Sequence, residues 1–350
     1  MDFYWLTKTN KKTITTKKMS ENRKQLVLDA MDNKETPRVP TGFWHHFVHP
    51  EYVDYRTNPA VIQQNIDGHQ QFFRELQPDL VKLMCDGFFV YPNDLLMNHK
   101  DLEELKQMKP LGPNNDWITK QVELAKAQIK TFTYEVATFF NIFSPTFTIK
   151  FMLGENSKPA NVKFADWIMQ NKEAVKHAIN VMAEDVAILS QKIITEGGAT
   201  GIYFCVQNVQ DERITKEIYD EIIYPAELKI FTAANEVSKY NIYHICGYAG
   251  ARNDLSWYLS FPARIISFAT NVEGVSLSEF KKMFNCDCVI GGYANTKDSV
   301  LYKGTKEEIQ AEARKILNES GRRGMILGAD CSLPFDIDIN HLIWAKEATA

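Results

Sequence analysis

The sequence predicts a (β/α)8 barrel of the TIM type. Eight short apolar, β-branched runs recur along the 350 residues, with helical patterns between them. Runs that alternate with helices make parallel βαβ units, and closing eight such units gives a barrel of this size. No glycine-rich dinucleotide loop follows the first run, which disfavours an open doubly wound sheet.

The elements follow in order. An amphipathic stretch, Ser20–Asn33, leads into the first run, Val39–Phe47. A helix near Pro59–Leu76 precedes the second run, Asp79–Cys85. Helical stretches Leu102–Met108 and Asp116–Lys130 precede the third, Glu135–Phe143. The long periodic stretch Phe164–Thr195 leads to the fourth, Ala199–Val206, and Lys216–Lys239 leads to the fifth, Asn241–Cys246. The last three runs are Ala263–Ala269, Asp287–Tyr293 and Gly324–Cys331, accompanied by helices at Leu277–Phe284, Lys306–Ser320 and Ile339–Thr349.

Composition narrows the class. Hydrophobic residues make up 45% of the chain and charged residues 24%, the balance of a soluble globular protein. The net charge is -4 with no basic block in the body, so nucleic acid is not an expected partner. The six cysteines show no secreted-framework spacing, and no secretory signal is evident, so a reduced cytoplasmic protein is expected. No apolar run approaches the ~20 residues that a membrane span needs. Residues 1–18 carry five lysines against Asp2 alone and are rich in threonine. Residues 1–19 are expected to be a disordered extension, with Met19 an alternative start, and residues 20–350 a single barrel domain.

In such a barrel the active site lies at the C-terminal ends of the strands. Those ends read Trp44-His45-His46, Cys85-Asp86, Ser144-Pro145, Gln207-Asn208, His244 and Cys246, Tyr293 to Asn295, and Asp330-Cys331. On a strand, residues two apart share a side, so His244 and Cys246 can converge while Ile245 packs the other way. Cys331 ends another strand at the same mouth. Three N/S donors with a fourth position open is the pattern of a catalytic zinc site. Cys286 and Cys288 begin the seventh run, at the opposite end of the barrel. Cys205, inside a run, and Cys85, at the end of one, read as small buried apolar residues.

The chain resembles the uroporphyrinogen decarboxylase superfamily, and within it the zinc-dependent methylcobalamin:coenzyme M methyltransferase branch. The resemblance spans residues 20–350. It rests on His-Ile-Cys-Gly at 244–247, Phe-Asn-Ile-Phe-Ser-Pro-Thr-Phe-Thr at 140–148 and Gly-Gly-Tyr-Ala-Asn-Thr at 291–296. Leu-Tyr-Lys-Gly-Thr-Lys-Glu-Glu-Ile at 301–309 and Ile-Leu-Gly-Ala-Asp-Cys-Ser-Leu-Pro at 326–334 also carry it. The resemblance implies a (β/α)8 barrel, in agreement with the strand count. It also implies zinc held by His244, Cys246 and Cys331, with His45, His46 or Glu273 as candidates for a fourth ligand.

The decarboxylase branch has an Arg-x-x-x-Arg element after the first strand, where this chain reads Gly-Phe-Trp-His-His-Phe-Val-His at 42–49. It has a histidine near the end of the last strand, where this chain has Cys331. Its catalytic aspartate does have a counterpart in Asp86. A mouth poor in guanidinium groups suits a polycarboxylate substrate badly.

The expected activity is therefore zinc-dependent methyl transfer from a methylated corrinoid to a small thiol. The corrinoid would be free or carried by a partner protein, and a homodimer is the common assembly of the relatives. A metal-independent decarboxylase and a non-catalytic corrinoid- or metal-binding protein are the alternatives. Asp86, His46 and Gln207 are the expected catalytic or orienting groups. His45 and His46 adjoin and must face opposite ways, so at most one enters the site. Trp44 and Tyr293, with Phe88 and Phe89, are expected to line the mouth beneath the corrinoid, although barrel-end aromatics more often simply pack.

Overall fold

A computed structural model describes residues 22–98, 101–155, 157–208, 211–248 and 251–350. The extension expected over 1–19 lies outside them. The strands are β1 (Thr41–Gly42), β2 (Leu80–Leu83), β3 (Ala137–Phe143), β4 (Gly201–Val206), β5 (Ile242–Ile245), β6 (Ile265–Phe268), β7 (Cys288–Tyr293) and β8 (Met325–Ala329). All their pairings are parallel, in the order β1-β8-β7-β6-β5-β4-β3-β2. This is the (β/α)8 barrel of the sequence reading.

Alternation along the strands sorts side chains into two cores. Leu80, Phe139, Tyr203, Ile242, Ile290 and Ile326 fill the interior. Val27, Ala30 and Met31, from the helix Arg23–Met31, join that interior cluster among the residues that begin the strands. The helix thus closes the N-terminal end, with the Asn22 side chain accepting the Gln25 N–H as its cap. Residues facing outward, such as Phe204, Tyr243 and Val289, pack under the helical layer.

The first strand is shorter than its apolar run because its hydrogen bonds go elsewhere. Pro40 has no N–H to donate, and the Thr41 N–H is taken by the Asp79 carboxylate at 3.0 Å. β1 therefore ladders only with β8, and no ladder joins β1 to β2. Two buried aspartates flanking β2 bridge the seam instead. Asp79 also binds Arg38 through both guanidinium nitrogens, at 2.7 and 2.6 Å. Asp86 accepts the Phe47 N–H at 2.8 Å and meets His46 Nδ1 at 2.7 Å.

Helices depart from their patterns at identifiable residues. The stretch 216–239 breaks into Lys216–Ile218, a π-helical turn at Tyr219–Ile223, and Tyr224–Val237. Pro225 supplies no donor there, and the widened turn absorbs the missing bond. The helix Lys158–Thr195 kinks at Asn171, whose φ is -153°. Four α-helices of the described residues were not expected from the sequence: the short Asp94–Asn98, Thr270–Glu273 and Val300–Lys303, and the longer Pro145–Gly154, directly after β3. Among the described residues no helix is long and apolar enough to cross a membrane.

Candidate metal centre

Register builds the site. β4, β5 and β6 align Cys205 with His244 and His244 with Ser267, so the three stand at one level of the barrel. His244 is wholly buried. Its Nδ1 meets Ser267 Oγ at 3.1 Å, while its Nε2 is buried without a hydrogen-bond partner. A buried ring nitrogen left bare is costly unless something else binds it. Cys246 follows β5, and Cys331 follows β8 across the barrel. Their sulfurs stand 3.9 Å apart, close to the ~3.8 Å expected for two thiolates on one tetrahedral zinc. One donor atom from each of His244, Cys246 and Cys331 falls within 4.8 Å of the others. The donor set therefore fits zinc in kind and in spacing.

Local charge acts on the same sulfurs. The hydrogen bond shared with Cys246 holds the Cys331 thiol well below the ordinary thiol range. Burial opposes this, while His244 and Lys82 add to it. The same shared bond, with burial, pushes Cys246 up, so the two thiols move in opposite directions as one pair. Lys82, buried on β2, places its ammonium 4.2 Å from the Tyr203 ring centroid and 5.3 Å from that of Trp44. Lys150, on the helix Pro145–Gly154, donates to Gln207 Oε1 at 2.5 Å, and Gln207 Nε2 donates to the Cys246 carbonyl at 3.3 Å. Burial brings the Lys150 ammonium down to about 8.

The triad opens into a cavity of about 350 Å3 that takes in Cys246, Cys331, Cys205, Lys82 and His46. One part of its lining is aromatic: Tyr52, Phe89, Phe143, Phe147 and Phe151. Among the described residues no arginine lines it. Burial keeps Cys205 a neutral thiol by pushing it to about 12, and its sulfur donates to Asn141 Oδ1.

A family model for uroporphyrinogen decarboxylase (URO-D) matches residues 86–349. The chain belongs to the uroporphyrinogen decarboxylase family. Among solved structures it is similar to a methyltransferase from Methanosarcina mazei, with a TM-score of 0.65 and 15% identity over 93% of this chain and 98% of that one. It is also similar to a B12-independent methionine synthase from Shewanella sp. W3-18-1, with a TM-score of 0.51 and 15% identity over 89% of this chain and 97% of that one. At that identity the likeness is one of fold. No curated protein matches the chain in sequence.

Within this barrel the other expected residues take distinct places. His46 faces the cavity with its Nδ1 on Asp86, whereas His45 turns away, its ring 4.6 Å from Phe47 and 5.1 Å from Phe72. Burial opposes protonation of His46, but the Asp86 charge and hydrogen bond outweigh it and hold the imidazole above its ordinary value. Asp86 itself does not line the cavity; it stands behind His46. Gln207 likewise acts from behind, through the Cys246 carbonyl.

None of the three candidates for a fourth ligand joins the triad among the described residues. Glu273 is spent on Asn253, accepting its backbone N–H at 3.1 Å and its side-chain amide at 2.8 Å. Gly247 permits that arrangement, since a Cβ there would lie 2.5 Å from Glu273 Oε1.

Three expectations about the mouth are corrected. Trp44 is not at the mouth: it lies inside the barrel, edge-on to Tyr203 at 5.1 Å. Tyr293 points out to the helical layer, where its hydroxyl donates to the Ile309 carbonyl at 2.6 Å. Alternation explains the second, because Cys288 and Ile290 face inward and position 293 is then outward. Phe88 also misses the cavity and stacks on Tyr55 at 4.4 Å, while Phe89 does line it.

The sequence reading missed Ser267, Lys82, Lys150 and most of the aromatic wall. A signal existed for the lysines: each interrupts an otherwise apolar segment, Leu-Val-Lys-Leu at 80–83 and Phe-Thr-Ile-Lys-Phe at 147–151.

Proposed function

We propose that the protein is a zinc-dependent methyltransferase that moves a methyl group from a methylated corrinoid to a small thiol. The observation that carries this reading is the convergence of the bare His244 Nε2 with the Cys246 and Cys331 sulfurs at the edge of a cavity. Family membership and a fold shared with a methyltransferase support it. Zinc held by these residues would keep an acceptor sulfur as its thiolate at neutral pH. The chain's own residues do the rest. Ser267 fixes the tautomer that leaves Nε2 free, and Lys82 adds positive charge beside the sulfurs. The His46–Asp86 pair faces the acceptor space, and the aromatic wall keeps water from it. The corrinoid is the donor implied by the sequence resemblance. The fold is shared with a B12-independent enzyme as well, so donor identity is part of the test.

The test combines metal content with transfer. Protein purified without chelator is expected to hold one zinc per chain and to methylate a thiol from methylcobalamin. Cys246→Ala and Cys331→Ala are each expected to lose both. A zinc-free wild type that is indifferent to these substitutions removes the reading. Transfer from a donor without a corrinoid, with zinc present, removes only the corrinoid. A porphyrinogen decarboxylase is disfavoured by the cavity, which offers a polycarboxylate no arginine.

A further inference from the structure

Five aromatic rings share the cavity lining with the Cys246 and Cys331 sulfurs. Tyr52, Phe89, Phe143, Phe147 and Phe151 form one continuous cluster, with ring centroids 4.8 to 5.6 Å apart. Rings that serve only as core are sealed: Phe268 and Phe280 are both fully buried and stacked at 3.7 Å. Tyr52, Phe143 and Phe151 are only half-buried, and the space they face is the cavity. The four phenylalanines offer no polar atom to a ligand.

We infer that the wall is a subsite for the acceptor, and that the acceptor is a thiol with an apolar, ring-sized body. The inference rests on the methyl-transfer reading for the sulfur end only. Size assigns the wall to the acceptor rather than to a donor macrocycle. A cavity of about 150 Å3 accommodates one benzene. The 350 Å3 here holds a small molecule reaching from the triad to the rings, and a corrin must stay above the mouth. Charge disfavours the other ligand that aromatic rings favour, a quaternary ammonium or sulfonium ion, although Glu51 adds one carboxylate to the lining. The Lys82 ammonium shares the cavity, and the His46 imidazole, with its pKa held up, stands on its edge. Lys82 sits against Tyr203 and Trp44, and the Lys150 ammonium lies 4.8 Å from the Phe147 ring centroid, so Phe89, Phe143 and Phe151 are left to apolar contact.

Cobalt-substituted protein supplies a readout other than turnover, the thiolate-to-cobalt absorption band. 2-Phenylethanethiol and 2-mercaptoethanol differ in the body attached to the same two-carbon thiol. The phenyl compound is expected to bind tighter on the order of 10- to 100-fold, the gain of burying one ring. Phe151→Ala and the milder Phe143→Leu are each expected to bring the two dissociation constants together. Equal affinities in the wild type, or a preference that survives both substitutions, overturns the subsite. If the triad takes up no cobalt, the metal reading fails and the subsite is decided separately. Ethylbenzene, which has no sulfur, should then still raise the melting temperature of the wild type more than that of Phe151→Ala. No difference overturns the inference in that case too.

Discussion

His244 is placed to act as a ligand by what holds its other nitrogen. Ser267 Oγ lies on Nδ1 at 3.1 Å and is itself paired with the Tyr203 hydroxyl at 2.9 Å. This chain of small contacts sets the ring's orientation and leaves Nε2 bare toward the two sulfurs. Partners of this kind are worth roughly 10- to 100-fold in metal affinity. Ser267→Ala is expected to weaken zinc binding by about tenfold while the protein stays folded, as measured by competition with a chromogenic chelator. Unchanged affinity would mean that packing against Tyr203, at 4.9 Å between ring centroids, orients the imidazole alone.

At the scale of elements, the helix Pro145–Gly154 ties the surroundings of Cys246 to the aromatic wall. It starts immediately after β3 because Ser144 caps it and Pro145 enters at its first turn, where a missing N–H costs nothing. Phe147 and Phe151 are four residues apart and share a face, with Lys150 beside them. One helix thus delivers two rings to the wall and the ammonium that holds Gln207. Ser144 is fully buried, and its hydroxyl lies 2.9 Å from Thr146 Oγ1 and 3.4 Å from the Phe147 N–H. Ser144→Ala is expected to cost about 1 kcal/mol. The urea midpoint should fall with no change in slope. A steeper or shallower slope would mean that the helix melts by itself.

For the whole molecule, the weak point of the barrel is the seam between β1 and β2, and side chains close it. Asp79 ties β2 to Arg38 and Thr41, and Asp86 ties its other end to His46 and Phe47. Burial works against the charged form of Asp79, but the Arg38 hydrogen bonds and charge outweigh it and hold the carboxyl below its usual value. A depressed carboxyl stabilises the fold above its unfolded pKa of about 3.9, and that contribution is lost as pH falls through the folded value. His46 runs the other way: its contribution is full below about 6.5 and fades as pH rises through its raised value. Asp79→Asn removes the buried carboxylate that binds Arg38 and Thr41 and is expected to cost ~3 kcal/mol at neutral pH. Its urea midpoint should also fall less than that of the wild type on going from pH 6 to pH 3. An equal fall in both would place the acid sensitivity elsewhere, with Asp86 the next carboxylate to replace.

The sequence by itself determined the strand count, the parallel order and the end of the barrel at which the chemistry lies. Each of these follows from local periodicity and from chain order, which the fold preserves. It also placed His244, Cys246 and Cys331 at one mouth, because strands five and eight must end on the same side. What only the tertiary structure decided depends on which side chains face which way once the strands are in register. A single-residue step reverses a side chain's face. Register brought Ser267 level with His244, kept His46 in the cavity and His45 out of it, sent Tyr293 to the helices and drew Trp44 inside. The seam and the aromatic wall were out of reach for a related reason. Their residues lie far apart in the chain, Asp79 from Arg38 and Tyr52 from Phe151, and nothing in local spacing records that closing the barrel brings them together.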